Sequence, residues 1–292
     1  MKKAGQTDPH LVQQLMLKSG LDKQLDQSPR MLQAGFLQAR HKAQFQGFSE
    51  DELDEIYRLL GIVYDAKKLK EIVQGRLSAN LTEKDAKYAL EGLDSPLGRK
   101  ITKIEEDSSS PEAFAESMTM ADKLRSDASR VALIRKLDRA FGTIESGMDA
   151  SLHTSIALYT ATAELYPQES KPSHEDIIAM AKQDTEAIRP QIEKAGLGLL
   201  LYSYRSLSES EIEQYIAFGE SESAKQYIAT GHVAINEALL QGTRELGAEI
   251  GKLIMKREAT ETWSPDSTQK EERSGHSNDH EKSKLEVHGE GI

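Results

Sequence analysis

Apolar residues recur along most of this chain at steps of three and four, the spacing that gathers them on one stripe of a helix. No segment alternates apolar and polar positions with β-branched enrichment, as a half-buried strand would. The periodic stretches predict helices over residues 9–19, 21–46, 50–61, 65–79, 82–94, 96–107, 111–124, 127–165, 174–188, 190–205, 208–220 and 222–256. Side-chain oxygens stand where helix starts need them. Asp8 precedes Pro9 and Ser110 precedes Pro111, while Ser49 with Glu52, Thr82 with Asp85, Ser173 with Asp176 and Ser208 with Glu211 read as capping boxes. Pro190 can open a helix but kinks one already under way, so a bend or break is expected near Arg189.

Two segments repeat one helical pattern 126 positions apart: LTEKDAKYALEGLDSPLGRK from Leu81 and LSESEIEQYIAFGESESAKQ from Leu207. Each opens with a leucine and a hydroxyl residue, places a carboxylate three residues later at Asp85 or Glu211, and reaches a serine at Ser95 or Ser221. In the first copy Ser95 can cap a new helix and Pro96 fits its first position, while Gly98 permits close approach of a neighbour. The serine-rich Asp107-Ser108-Ser109-Ser110-Pro111 reads as a hinge between repeat units. The expected fold is therefore all-α, a duplicated amphipathic multi-helix bundle. It comprises a flexible N-terminus (1–8), a first helical repeat unit (9–110), a second packed on the first (111–256) and a disordered polar tail (257–292).

Composition agrees with a helical core: 38% of residues are hydrophobic and only 5% aromatic. A formal net charge of -11 opposes binding to nucleic acid or anionic lipid, so no nucleic-acid partner is expected. The absence of cysteine removes disulfides, thiolate metal sites and thiol nucleophiles. No window is long and apolar enough for a transmembrane segment.

Candidate chemistry is sparse. The acidic run Glu50-Asp51-Glu52-Leu53-Asp54-Glu55 lacks the glycine of a calcium loop and reads as a capped, solvated first helical turn. Glu105-Glu106-Asp107 reads as a solvated exit into the serine hinge. Histidines 10, 41, 153, 174, 232, 276, 280 and 288 include no HExxH pair; His276 and His280 have i, i+4 spacing, but in the tail. The SxxK match from Ser267 to Lys270 is also in the tail, and Gly196-Leu197-Gly198 lacks the rest of a dinucleotide fingerprint. Trp263 reads as an exposed tail residue or an anchor for docking. No catalytic, cofactor-binding or metal-binding residue is therefore assigned, and no cofactor is expected.

The last helix carries Ile228, Ile235, Gly242 and Glu249, interleaved at seven-residue spacing with His232, Leu239, Leu246 and Leu253. Gly247 and Gly251 add a small-residue face. Packing against the chain's own body accounts for this seam; self-association or an unknown protein partner is the sharper reading.

The phrase Ser95-Pro96-Leu97-Gly98-Arg99-Lys100 with its Leu81-Thr82 and Asp85 start resembles the bacterial family called domain of unknown function 2059. The second copy matches at Ser208, Glu211, Ala217-Phe218 and Ser221, with Glu222 in place of proline and Ala224 in place of glycine. The opening Leu15 to Leu21 is similar too, so the resemblance covers most of residues 9–256. It implies a helical protein exported to the bacterial envelope by a cleaved signal, with no established activity. Met1-Lys2-Lys3 leads into Asp8-Pro9-His10 instead of an apolar signal run. The resemblance implies a periplasmic or exported protein, so either its signal has been removed or export does not apply. The expected function is uncharacterised and non-enzymatic, exerted through protein–protein contacts. The alternative is a small-ligand carrier or hydrolase-like enzyme with a pocket between the repeats, lined by Tyr202, Tyr204, Tyr215 and His232.

Overall fold

The computed structural model describes residues 7–40, 48–163 and 169–262, and among these the fold is all-α. The helices are α1 (Pro9–Lys18), α2 (Leu21–Ala39), α3 (Glu50–Val63), α4 (Ala66–Asn80), α5 (Glu83–Asp94), α6 (Pro96–Asp107), α7 (Pro111–Leu124), α8 (Ala128–Phe141), α9 (Thr143–Ala163), α10 (His174–Ser203), α11 (Glu209–Gly219) and α12 (Glu222–Thr262). A 3-10 turn at Tyr204–Ser206 joins α10 to the loop before α11. No helix is long and apolar enough to cross a membrane among the described residues. Residues Met1–Lys252 form one compact unit and Leu253–Ile292 a second. Of the second unit only the end of α12 is described. The tail histidines, Trp263 and Ser267 to Lys270 lie outside the described residues, as does His41.

The caps follow the sequence closely. Ser49, Ser173 and Ser208 form complete capping boxes with Glu52, Asp176 and Glu211. Thr82 forms only half of one: its side chain accepts from the Asp85 amide, while the Asp85 carboxylate accepts from the Thr82 hydroxyl and from Ser223. Asp65 and Asp127 add caps for α4 and α8.

Four helix boundaries differ from the pattern. The helix expected over 21–46 ends at Ala39, with Arg40 as its C-cap. The stretch over 127–165 divides at Gly142, whose φ of +64° ends α8 in a left-handed turn that glycine adopts at little cost. Of the bend or break expected near Arg189 there is no break, since α10 runs unbroken through Pro190. The last helix continues past residue 256 to Thr262, so the polar segment begins as helix rather than as tail.

The duplication extends well beyond the two phrases. LVQQLMLKSG of α1 has a counterpart 122 positions later in LIRKLDRAFG of α8, and each ends on a positive-φ glycine, Gly20 or Gly142. Val12 and Leu15 are fully buried in the first copy, as their counterparts Ile134 and Leu137 are in the second. Contacts repeat in the same order: α1 packs on α2, α4 and α5, and α8 packs on α9, α10 and α11. By the offset of the Ser49 and Ser173 caps, Pro190 aligns with Ala66, the first residue of α4. α10 is thus α3 and α4 fused, and its proline marks a helix start that the second copy no longer uses.

The two copies are joined through α5–α6 and α11–α12. Ser95 donates to Gly92 O at 2.7 Å and accepts from Gly98 N at 2.9 Å; Ser221 donates to Phe218 O at 2.7 Å and accepts from Ala224 N at 3.3 Å. Both elbows are therefore one structure. The capping acids cross over: Asp85 bonds Ser223 of α12, and Glu211 pairs with Lys100 of α6 at 2.6 Å. Gly92 and Phe218 occupy equivalent positions, yet a Cβ on Gly92 would collide with the Phe218 ring. Reciprocal contacts of this kind, with equivalent positions meeting each other, are the mark of a twofold relation between copies.

Gly98 is the tightest point in this junction, since a Cβ there would overlap the backbone at Gly92 and Leu93, which cannot rotate away. Gly98→Ala is expected to cost at least about 2 kcal/mol in urea unfolding, in the manner of core overpacking. Pro96→Ala, at an exposed first helical position, should stay within about 0.5 kcal/mol. Equal effects would refute the close-approach account.

Candidate functional site

A cleft of about 420 Å3 opens where the first elbow faces α11. The end of α5 contributes Gly92 and Leu93, the elbow Ser95, Pro96, Leu97 and Gly98, and α6 Ile101. Gln214, Tyr215 and Phe218 of α11 form the opposite wall. The sequence builds this wall directly, because Gln214, Tyr215 and Phe218 fall within about one helical turn and share a face. The aromatic surface continues outward: Tyr88, 41% exposed, stacks on Phe218 with ring centroids 6.1 Å apart, and Phe218 stacks on Tyr215 at 6.2 Å.

The polar groups of the cleft are already engaged. Ser95 Oγ is spent on the elbow at both donor and acceptor positions. Tyr215 donates to Glu105 Oε1 at 3.1 Å, and the Gln214 amide donates to Ser210 Oγ at 3.4 Å. What remains for a ligand is an apolar, aromatic receptacle. The helices that form its two walls, α6 and α11, are also tied by the pair Lys100 and Glu211, where the ammonium holds the carboxyl down to about 2.

Behind Tyr215 lies a half-buried carboxylate bridged by two tyrosines. Glu105 accepts from Tyr204 at 2.5 Å and from Tyr215 at 3.1 Å. Burial raises its pKa above the ordinary 4.5, and the two tyrosine hydroxyls only partly oppose that. Both tyrosines are in turn pushed well above 10 by burial and by the adjacent Glu105. Glu105 is therefore not the solvated helix exit that its acidic neighbours suggest. The signal was present in its spacing: Leu97, Ile101 and Glu105 follow one another at four-residue steps, which continues the apolar face of α6 into the carboxylate.

Of the four residues expected in an inter-repeat pocket, only Tyr215 lines the cleft, with Tyr204 behind it on the shared acceptor Glu105. Tyr202 instead donates to Glu116 and carries the Arg205 guanidinium 3.7 Å above its ring. His232 lies by Gly142, its pKa lowered by burial against the opposing charge of Asp149. The acidic run at residues 50–55 makes ordinary surface contacts: Glu52 completes its capping box, Arg40 pairs with Glu50 and Asp54, and Arg58 pairs with Glu55. Among the described residues no group of three or more His, Asp or Glu could hold a metal ion.

No family model, no curated protein and no solved structure matches this chain.

The sign of the Glu105 effect follows from its raised pKa. Between its ordinary value and the raised one the folded chain holds a proton that the unfolded chain has released. This residue's contribution thus declines as pH rises through that window and is flat above it. Glu105→Gln, which keeps an acceptor for the tyrosines, should remove this decline and leave stability at pH 7 equal or higher. Glu105→Ala should lose about 1–3 kcal/mol for each tyrosine hydroxyl left unpaired. Denaturant titrations from pH 4 to 8 test both; a Glu105→Gln variant markedly weaker than the parent at pH 7 would contradict the account.

Proposed function

We propose that this protein is a non-enzymatic binding module of the bacterial envelope that receives apolar side chains of a protein partner in the cleft between its two repeats. The observation that carries this reading is the state of the cleft's polar groups. Small-molecule sites keep a few convergent polar groups to orient the ligand. Here Ser95, Tyr215 and Gln214 are turned to internal partners, leaving Leu93, Leu97, Ile101 and Phe218 as the contact surface. Such a surface suits an aromatic or aliphatic anchor supplied by another chain, with exposed Tyr88 beside it. The envelope location rests on the resemblance of the SPLGRK phrase and the leucine-rich opening to the family of domain of unknown function 2059. The cleft belongs to the same elbow that carries that phrase.

A second contact surface is supported by α12. Through Lys252 the helix buries a face of small residues, Ala224, Gly231, Ala234, Ala238 and Gly242, while Ile228, Ile235, Leu239 and Leu246 stay half-buried and Val233 is 62% exposed. This surface supports self-association or a partner helix beside the cleft contact.

The test is photo-cross-linking in cells with benzoylphenylalanine at Gln214, compared with Lys182 on the exposed face of α10. A recurrent protein adduct from position 214, absent from position 182 and removed by Leu97→Lys, is the expected result. A small molecule retained by the purified protein and displaced by Leu97→Lys, with no protein adduct, would replace this reading with a ligand carrier. Recovery of the chain only in the cytosolic fraction would remove the envelope assignment.

A further inference from the structure

A second cavity, about 190 Å3, lies at the corner where α8, the end of α11 and the start of α12 meet, and its lining is basic. Lys136 and Arg139 enter from α8 and Lys225 from α12, with Ala140, Ile216 and Glu220 completing it. Among the described residues none of the three cations forms an ion pair, and neither does Glu220. Other cations of the body do pair: Lys23 with Glu106, Lys68 with Glu245, Lys70 with Asp22 and Asp26, Arg76 with Glu237. Three cations and one carboxylate, Glu220, line the void, leaving a local excess of two positive charges in a chain of net charge -11, and an anion would be drawn to that excess.

The duplication supplies an internal control. The equivalent corner of the first copy has Lys18, Asp94 and Arg99 where the second has Ala140, Glu220 and Lys225. There Lys18 pairs with Asp94 at 2.7 Å, and Arg99 donates to the Asp94 main-chain carbonyl, so this corner holds an ion pair and one tethered guanidinium. In the second copy the pairing lysine has become alanine, and two positions occupied by Gln14 and Leu17 in the first copy have become Lys136 and Arg139. One corner is closed by its own ion pair; the other has lost that pair and gained cations.

We infer that the corner formed by Lys136, Arg139 and Lys225 is a binding site for a compact phosphate-class anion, either free phosphate or the phosphate of an ester. Three donors around a small void match an oxyanion with two negative charges better than a carboxylate with one. Arg139 offers the planar fork and the two lysines mobile ammonium groups. The site is separate from the apolar cleft and does not depend on how that cleft is used.

The experiment is calorimetric titration of inorganic phosphate into the full chain at low ionic strength, with the Lys136→Ala/Arg139→Ala variant alongside. All three cations are exposed, so the variants should fold, and an unchanged thermal transition checks this. Saturable binding of one phosphate per chain is expected, weakened at least tenfold in the double variant, unchanged in Lys182→Ala, and falling with added salt. Co-sedimentation with vesicles of neutral phospholipid, with and without an anionic phospholipid, separates the sources. Binding to the anionic vesicles that the double variant loses assigns a lipid phosphate, and its absence beside phosphate binding assigns a free one. Affinity unchanged in the double variant, no saturable phosphate binding, or equal competition by acetate would each overturn the inference.

Discussion

The two copies of the helical pair meet at Gly92 and Phe218, and the space between them admits one aromatic ring. A twofold arrangement brings equivalent positions face to face, so two large residues there would occupy the same volume. The chain resolves this by making one side a glycine. Glycine within α5 sacrifices about 1 kcal/mol of helix propensity relative to alanine, and the Phe218 ring packed against bare backbone offsets it. The elbow follows from the same constraint: Gly98 lets α6 start directly against the end of α5, which sets where Leu97 and Ile101 stand and so where the cleft opens.

From this junction the rest of the core divides into two related halves. Leu15, Leu81, Ala86, Ala89 and Leu93 pack beneath α1 in the first, and Ile134, Leu137, Leu201, Ile212 and Ile216 pack beneath α8 in the second. The halves have drifted apart where the fold tolerated it. The second copy fused two helices across Pro190, replaced proline with Glu222 at its elbow, and lost the Lys18-type ion pair at the corner beside α12. Glu105 has no acidic counterpart, since the equivalent position is Gly231. The carboxylate of the first copy and the two tyrosines of the second thus form a cluster across the junction with no symmetric counterpart, and Glu105 holds Tyr215 in place at the back of the cleft.

Much of this was legible in the residues. Serine and aspartate caps marked helix starts because their oxygens satisfy amides that nothing else reaches, and the 126-residue repeat identified both elbows. The kinship of α1 and α8 was harder to see, because only the apolar positions Leu11, Val12 and Leu15 and the closing glycine persist while Gln14, Met16, Leu17 and Lys18 stand against Lys136, Asp138, Arg139 and Ala140. Pro190 misled for a physical reason: a proline costs one hydrogen bond and some crowding, and a long helix packed on both α7 and α9 absorbs that. Glu105 was hidden by its neighbours, since Glu106 pairs at the surface with Lys23 and Asp107 with Lys103, whereas one step along the same helix turns inward. The cleft itself needs the meeting of residues more than a hundred positions apart, which no local pattern reports.

The most direct test of the central claim is a reciprocal exchange across the junction. Gly92→Phe alone should be severely destabilising, because two rings compete for one space, and Phe218→Gly alone should leave a void where the ring was. The combined variant moves the ring to the other copy and conserves volume. If the two positions face each other across a twofold junction, the double variant should recover most of the lost stability in urea unfolding, giving a coupling energy of at least about 2 kcal/mol. Losses that simply add would contradict it.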